Sequence, residues 1–420
     1  MKFTIIAVGT RGDLQPAVVL GKMLQTYGHR VRIFAGSNFC SWVEEQGLEA
    51  APTALDMQAL MESAGGKEWV EKSRNPLVEM RLMKRVLDEY GWQMVSDAWQ
   101  ACQGTDVIIS SFTSNAYATA MAEKLEVPQI GMALQPMLFA TRDGRSVING
   151  PFPGKINIIN YWFGKLALEP APWQLFGDLV SRLRRELGLP TQTRKENLAI
   201  RKQLLILQAY SRHVVPHPAD WPANTHTTGY WFLDDLEDWQ PSRELMEFLE
   251  RGPAPVYIGF GSMTGDNAQS TTRLVMDALR SSGRRAIMAS GWAGLGSSEL
   301  PDHILAVDYV PHSWLFPRMA AVVHHGGAGT TAAGVRAGVP SVIIPHFVDQ
   351  PYWGRRVHAL GVGPKPVPRR KLTAEKLARA IDTAVSDADM KDRAATLGQK
   401  IRAEDGPAAA WELISSHLGI

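Results

Sequence analysis

The sequence predicts an α/β protein built from two doubly wound parallel-sheet domains facing a cleft, and three observations carry that prediction. The chain opens on strand, glycine turn, helix and second strand, FTIIAV through LQPAVVLGKMLQTYGH to RVRIFAG, and such a βαβ unit implies a parallel sheet with right-handed crossovers. A related unit returns in the second half, where APVYIGFGSMTGD at 254–266 mirrors KFTIIAVGTRGD at 2–13, a weak internal repeat of one supersecondary element. The length of 420 residues exceeds one small core and suits two domains of roughly 200 residues each.

In chain order, the first helix carries apolar residues at helical spacing and stops at Gly28, a residue that tolerates the backbone of a helix end. DVIISS at 106–111, a helix near Ala116 to Leu125 and PQIGMA at 128–133 continue the alternation. LLILQA at 204–209 and HVVP at 213–216 read as closing strands of the first domain, residues 1–230. WFLDDLEDWQPSRELMEF mixes acids, Trp and Pro without strand periodicity, so 231–252 reads as a linker. RAIMAS, ILAVDYV, AAVVHH and PSVIIP supply strands for a second domain, 253–400. The final helix, within 401–420, is expected to pack back toward the first domain.

Composition narrows the function classes. Hydrophobic residues at 45% and charged ones at 20% describe an ordinary globular protein. A formal net charge of +2 argues against nucleic-acid binding through bulk charge. The two cysteines, Cys40 and Cys102, provide neither a disulfide framework nor a thiolate zinc site, which points to a reducing, cytoplasmic compartment. No apolar run is long enough to span a bilayer. From Arg142 to Lys202, however, eleven Lys and Arg face five Asp and Glu amid crowded aromatics. That combination suits peripheral contact with an anionic membrane surface, and equally suits aromatics packed as core beneath a solvated charged face.

The most informative stretch is VVHHGGAGTTAAGVRAGVPSVIIPHFVDQ, residues 322–350. A strand ends at His324 and His325, and Gly326, Gly327 and Gly329 let the backbone approach a ligand with no Cβ in the way. Thr330 and Thr331 then open a helix that ends at Gly338. A helix start offers unpaired N–H groups and the positive end of the dipole, which suits a diphosphate. His325 and Thr330 add side-chain donors. After the next strand, Asp349 and Gln350 offer a carboxylate and an amide, groups that recognise paired hydroxyls on a sugar.

These residues resemble the donor-binding signature of nucleotide-sugar glycosyltransferases with two Rossmann-like domains, the GT-B architecture. The likeness is to the sterol glucosyltransferase and antibiotic glycosyltransferase branch: HHGGAGTT at 324–331, DQPYWGRRV at 349–357 and VGTRGDLQP at 8–16 occur in the family's order. The resemblance implies an inverting, metal-independent hexosyltransferase acting from UDP-glucose on an apolar hydroxylated acceptor, with no resident cofactor and no nucleic acid. It makes Asp13 the general base, the alternative being a cap on the helix beginning near Leu14 or Gln15. It assigns the diphosphate to His325, Gly327, Gly329 and Thr330, with Ser262 in the matching turn of the second domain. Tyr309 and Val310 match the place where the family binds the nucleotide base. Ala333 stands where plant relatives carry a ribose-binding Glu, which keeps dTDP beside UDP as the nucleotide.

Met132, Met137, Phe139, Trp162 and Phe163 are the candidate acceptor wall, with ordinary core as the alternative for each. Asp387 and Asp389 form a DxD pattern but lie among helix-forming residues, and HHGG lacks a third and fourth ligand at useful spacing. A nicotinamide dehydrogenase would need GxGxxG after a strand, where this chain has GTRGD. A nucleotide-sugar epimerase shares the diphosphate site yet has no need of the Trp-rich 150–177 stretch. A non-catalytic sugar-nucleotide-binding partner would have no use for Asp13.

Overall fold

Near-continuous runs of buried residues, such as Phe3, Thr4, Ile5 and Ile6, make strands that are covered on both faces, the pattern expected of parallel sheets. A computed structural model of the chain describes residues 1–54, 56, 76–149, 157–234, 239–260, 268–289, 300–346 and 349–420. The chain forms two compact units, Met1–Leu233 with Glu404–Ile420, and Asp234–Ala403.

The first unit runs β1 (Lys2–Ile6), α1 (Arg11–Thr26), β2 (Arg30–Gly36), α2 (Cys40–Glu45), β3 (Glu49–Thr53), α3 (Pro76–Ala101), β4 (Val107–Ser110), α4 (Asn115–Leu125) and β5 (Gln129–Ala133). It continues through α5 (Asn157–Phe163), a π-helical turn at Gly164–Leu168, α6 (Ala171–Glu186), α7 (Arg194–Gln203), β6 (Leu205–Gln208) and β7 (Thr225–Thr227). Its sheet is seven-stranded in the order β3-β2-β1-β4-β5-β6-β7. Every pairing is parallel, with Ile5 of β1 beside Ile33 of β2 and Ile109 of β4. The order reverses at β1/β4, the switch point where such sheets bind ligands.

The second unit runs α8 (Arg243–Glu250), β8 (Val256–Gly259), α9 (Ala268–Ser282), β9 (Ala286–Ala289), β10 (Ile304–Val307), α10 (His312–Leu315), β11 (Ala321–His324), α11 (Ala328–Ala337) and β12 (Ser341–Ile343). Helices α12 (Gln350–Ala359), α13 (Ala374–Ser386) and α14 (Ala388–Arg402) follow. The five strands are parallel in the order β10-β9-β8-β11-β12, so this switch point is β8/β11. Helix α15 (Gly406–Leu418) then rejoins the first unit. Ala410 and Ile414 enter its core, and Trp411 stacks on Tyr27 at 4.2 Å and 19°.

Two local readings of the sequence are corrected. HVVP is not a strand: the N–H groups of Val214 and Val215 both donate to the Ser211 carbonyl, at 3.0 and 2.9 Å, in a buried turn. The closing strand is instead the polar THT of β7, an edge strand placed by pairing with β6 rather than by its own hydrophobicity. Helix α1 starts at Arg11, ahead of the expected Leu14 or Gln15, because Thr10 is its N-cap.

Candidate active site

In the first unit the site grows from the turn after β1. Asp13 occupies the third position of α1, and its Oδ2 accepts the Thr10 backbone N–H at 2.9 Å and the Thr10 hydroxyl at 3.0 Å. The carboxylate therefore folds back over the turn. A Cβ on Gly9 would lie 2.4 Å from Oδ2, so glycine at 9 is what leaves room for that posture. Both donors fall on Oδ2, while Oδ1 accepts no hydrogen bond among the described residues. Loss of water around Asp13 raises its carboxyl above the ordinary 3.8, and the two Thr10 bonds pull the other way. A partly desolvated carboxylate with one unoccupied oxygen is equipped to take a proton.

Beside this turn, across the switch point, lie hydroxyls that sequence reasoning missed. Ser111 Oγ is 3.1 Å from both Thr113 Oγ1 and Ser114 Oγ, and the Ser111 N–H donates to the Ile6 carbonyl at 3.2 Å. Their signal was positional: polar residues directly after a parallel strand.

In the second unit the corresponding turn follows β11. His324 is fully buried, and its Nδ1 accepts the Gly326 N–H at 3.1 Å, which fixes the proton on Nε2. Its part is to hold the turn. Gly326 has φ +91°, and a Cβ there would meet Ile343 Cγ2 at 2.7 Å, so this position requires glycine on both counts. A Cβ on Gly327 would lie 2.5 Å from His325 Nε2, placing the imidazole across that glycine. Burial depresses His325 to about 4, so it is a neutral donor at physiological pH. Its Nδ1 is buried with no partner among the described residues.

Helix α11 begins there with no side-chain cap. Its first helical bond runs from the Thr331 N–H to the Gly327 carbonyl at 2.9 Å, leaving the N–H groups of Ala328, Gly329 and Thr330 without helical partners. A Cβ on Gly329 would meet nothing within 4 Å among the described residues. The start of this helix therefore keeps three donors that no side chain caps, the arrangement that binds phosphate oxygens.

The DQ pair lies against the same turn. Asp349 stands at the N-cap of α12 without capping it, and its Oδ2 instead accepts the Trp353 indole N–H at 2.8 Å. Gln350 Oε1 accepts the His346 N–H at 2.8 Å, and the Gln350 carbonyl would be 3.2 Å from a Cβ on Gly326. His346 is a further miss. Burial, with His325 and Arg369 nearby, drives its imidazole down to about 3, and its Nε2 is buried and unpartnered among the described residues. The strand-end rule that found His325 would have found it.

Tyr309 is 61% exposed in the loop after β10, with Val310 packed partly into the core beneath. His312 stacks on Phe316 at 4.2 Å. An exposed ring on a fixed loop can stack on a nucleobase. Ser262 lies outside the described residues. Asp387 caps α14 by accepting the Met390 N–H at 2.9 Å, and Asp389 lies in that helix's first turn.

The acceptor candidates are dispersed. Met132 and Phe139 are core side chains, on β5 and in a cluster with Ile206 and Trp221 respectively. Met137 is half-buried against Ala140, Ile148 and Tyr161. Trp162 is exposed on α5, with Phe163 half-buried beside it.

Residues 3–137 match the glycosyltransferase family 28 N-terminal domain, and residues 274–414 match the C-terminal domain of erythromycin biosynthesis protein CIII-like proteins. Two sterol 3-beta-glucosyltransferases of Arabidopsis thaliana are similar over all of this chain. One is 34% identical with 66% of its length covered, and the other 33% identical with 68% covered. The chain spans a smaller share of fungal relatives with the same name, 27% in Debaryomyces hansenii and 30% in Emericella nidulans. Among solved structures, the glycotransferase of kitacinnamycin aligns with a TM-score of 0.70 at 21% identity, covering 99% of this chain and 98% of that one.

Proposed function

The chain belongs to the sterol 3-beta-glucosyltransferase family, and from that premise we propose an inverting transferase that moves a hexose, glucose foremost, from a UDP-sugar to a hydroxyl of an apolar acceptor. A sterol is the first acceptor class to test, with other lipids and phenolic or polyketide products behind it. The observation that carries this reading is the uncapped start of α11, where His325, a Gly329 with no described residue within 4 Å of its Cβ position, and three unpaired N–H groups converge on one turn.

In this reading the second unit holds the donor. The N–H groups of 328–330, the Thr330 hydroxyl and His325 bind the diphosphate, Asp349 and Gln350 hold sugar hydroxyls, and Tyr309 with Val310 meets the base. Asp13 takes the acceptor's hydroxyl proton as the oxygen bonds to the anomeric carbon from the face opposite the diphosphate. The bond from that carbon to the diphosphate breaks, and UDP departs with the electron pair. Helix dipole and neutral donors suffice to stabilise that charge, so the reaction is proposed to run without a metal or other cofactor. Because its two cysteines are unpaired, we place the protein in the reducing cytoplasm, and because the acceptor is apolar, peripherally at a membrane. No helix among the described residues is long and apolar enough to cross one.

Calorimetry with UDP-glucose, dTDP-glucose and NAD, alongside UDP release with a panel of sterols and phenols, tests this. Tight UDP-glucose binding with acceptor-dependent release is the expected result. NAD binding alone would overturn the reading.

A further inference from the structure

Helix α5 and the π-helical turn that continues it carry two apolar faces, and only one is covered by described residues. Asn160, Tyr161 and Gly164 point inward. Tyr161 packs in a small core with Ala140 and Ile148, and a Cβ on Gly164 would lie 2.4 Å from the Ile148 carbonyl oxygen, so this side is pressed against the body of the unit. The opposite side is Ile158, Ile159, Trp162 and Leu166, which are 58%, 50%, 49% and 69% exposed. At helical spacing these four fall within an arc of about 100°. A helix apolar on both sides needs a second apolar neighbour.

The charge beside this face indicates what that neighbour is. Lys165 Nζ lies 5.6 Å from the Trp162 ring centroid and 5.3 Å from that of Tyr161, and it donates to the Tyr161 hydroxyl at 3.0 Å. The Arg142 guanidinium lies 5.7 Å from the same Tyr161 ring. Between 142 and 202 the five acids are all engaged: Asp143 with Arg145, Glu169 with Lys202, Asp178 with Lys84, Glu186 with Arg182, and Glu196 with the Thr193 cap. Neither Arg142 nor Lys165 is in an ion pair among the described residues. Two cations outside any ion pair, at the rim of an exposed aliphatic and aromatic face, match a bilayer interface, where apolar side chains enter the acyl boundary and basic ones reach the headgroups.

We propose that Ile158, Ile159, Trp162 and Leu166 insert into an anionic lipid bilayer, with Arg142 and Lys165 on its headgroups, holding the first unit at the surface where an apolar acceptor resides. This rests on the apolar-acceptor reading and localises its membrane contact to one helix face.

Flotation with vesicles of phosphatidylcholine alone, or mixed with phosphatidylglycerol, tests the surface. The parent protein should float with the mixed vesicles and lose binding as salt rises. Replacing Ile158→Ser, Ile159→Ser and Leu166→Ser together should lower the bound fraction at least about tenfold. UDP-glucose affinity, turnover of a water-soluble acceptor and circular dichroism should stay as in the parent. Arg142→Gln with Lys165→Gln should abolish the preference for the anionic vesicles. The proposal is overturned if the triple variant floats like the parent, if the parent binds neither vesicle, or if the parent is a dimer that the triple variant converts to monomer. Flotation without UDP-glucose binding would leave the surface standing and remove the transferase. A transferase of soluble acceptors that never floats would remove the surface alone.

Discussion

At Asp13 the sequence posed a choice between helix cap and base; Thr10 is the cap, and Asp13 is the third helical residue that bonds back to it, a part compatible with acting as a base. Oδ2 serves Thr10 while Oδ1 accepts no hydrogen bond among the described residues. Asp13→Ala should therefore slow transfer by about 100 to 10,000 fold with donor affinity retained. Gly9→Ala tests positioning, since its Cβ would claim the space of Oδ2; a carboxylate displaced by about an ångström should cost on the order of 100-fold in kcat. Asp13→Asn separates chemistry from stability. Because burial raises the folded-state carboxyl above 3.8, the native state holds its proton to higher pH than the unfolded chain, and stability falls as pH rises through that window. The Asn variant, which can still accept from Thr10, should melt higher than the parent at pH 7 while losing activity, the gain fading at acid pH. An unchanged or lower melting temperature would contradict the burial argument. In the parent, the acid limb of kcat/KM should lie above the ordinary carboxylate range.

At the scale of elements, the start of α11 separates glycines that make the fold from one that leaves space for a ligand. Gly326 has positive φ and a neighbour at 2.7 Å, whereas Gly329 has no neighbour within 4 Å of its Cβ position among the described residues. Gly326→Ala should lower the melting temperature. Gly329→Ala should leave it unchanged or raise it, since alanine is better inside a helix by about 0.5–1 kcal/mol, yet weaken UDP binding measured by calorimetry at least about tenfold. The sequence could announce this turn because several glycines beside two histidines at a strand end have few structural reasons to occur together. It could not announce β7, whose three polar residues become a strand only through pairing with β6, nor demote HVVP, whose two valines are as buried in a turn as they would be in a strand. Periodicity reports burial, and short buried segments of either kind look alike. His346 was legible by the strand-end rule and was overlooked; what the sequence could not show is its partners, Gln350 and the neighbourhood of His325 and Arg369, which the chain's path after β12 gathers.

At the scale of the whole molecule, the two units have separable liabilities. The first depends on the chain's last helix, so Ile414→Ala, fully buried in that core, should cost about 2–5 kcal/mol and lower its melting transition without changing UDP affinity. The second unit carries His324, His325 and His346, all held below the ordinary 6.5, the last two at about 4 and about 3, chiefly by burial. A native histidine that resists protonation leaves the unfolded chain binding more protons below pH 6.5, so stability rises with pH across that range and is lost as pH falls toward the native values. The second unit should therefore melt progressively lower from pH 7 to pH 5 in calorimetric scans. UDP should restore part of the loss, because a bound diphosphate favours the charged imidazole and offsets the desolvation that depresses it. Exchanging His346→Gln removes one titrating group while keeping a polar side chain, and should flatten the pH dependence. An unchanged slope would mean that this histidine stays close enough to solvent in the native protein to titrate as it does in the unfolded chain.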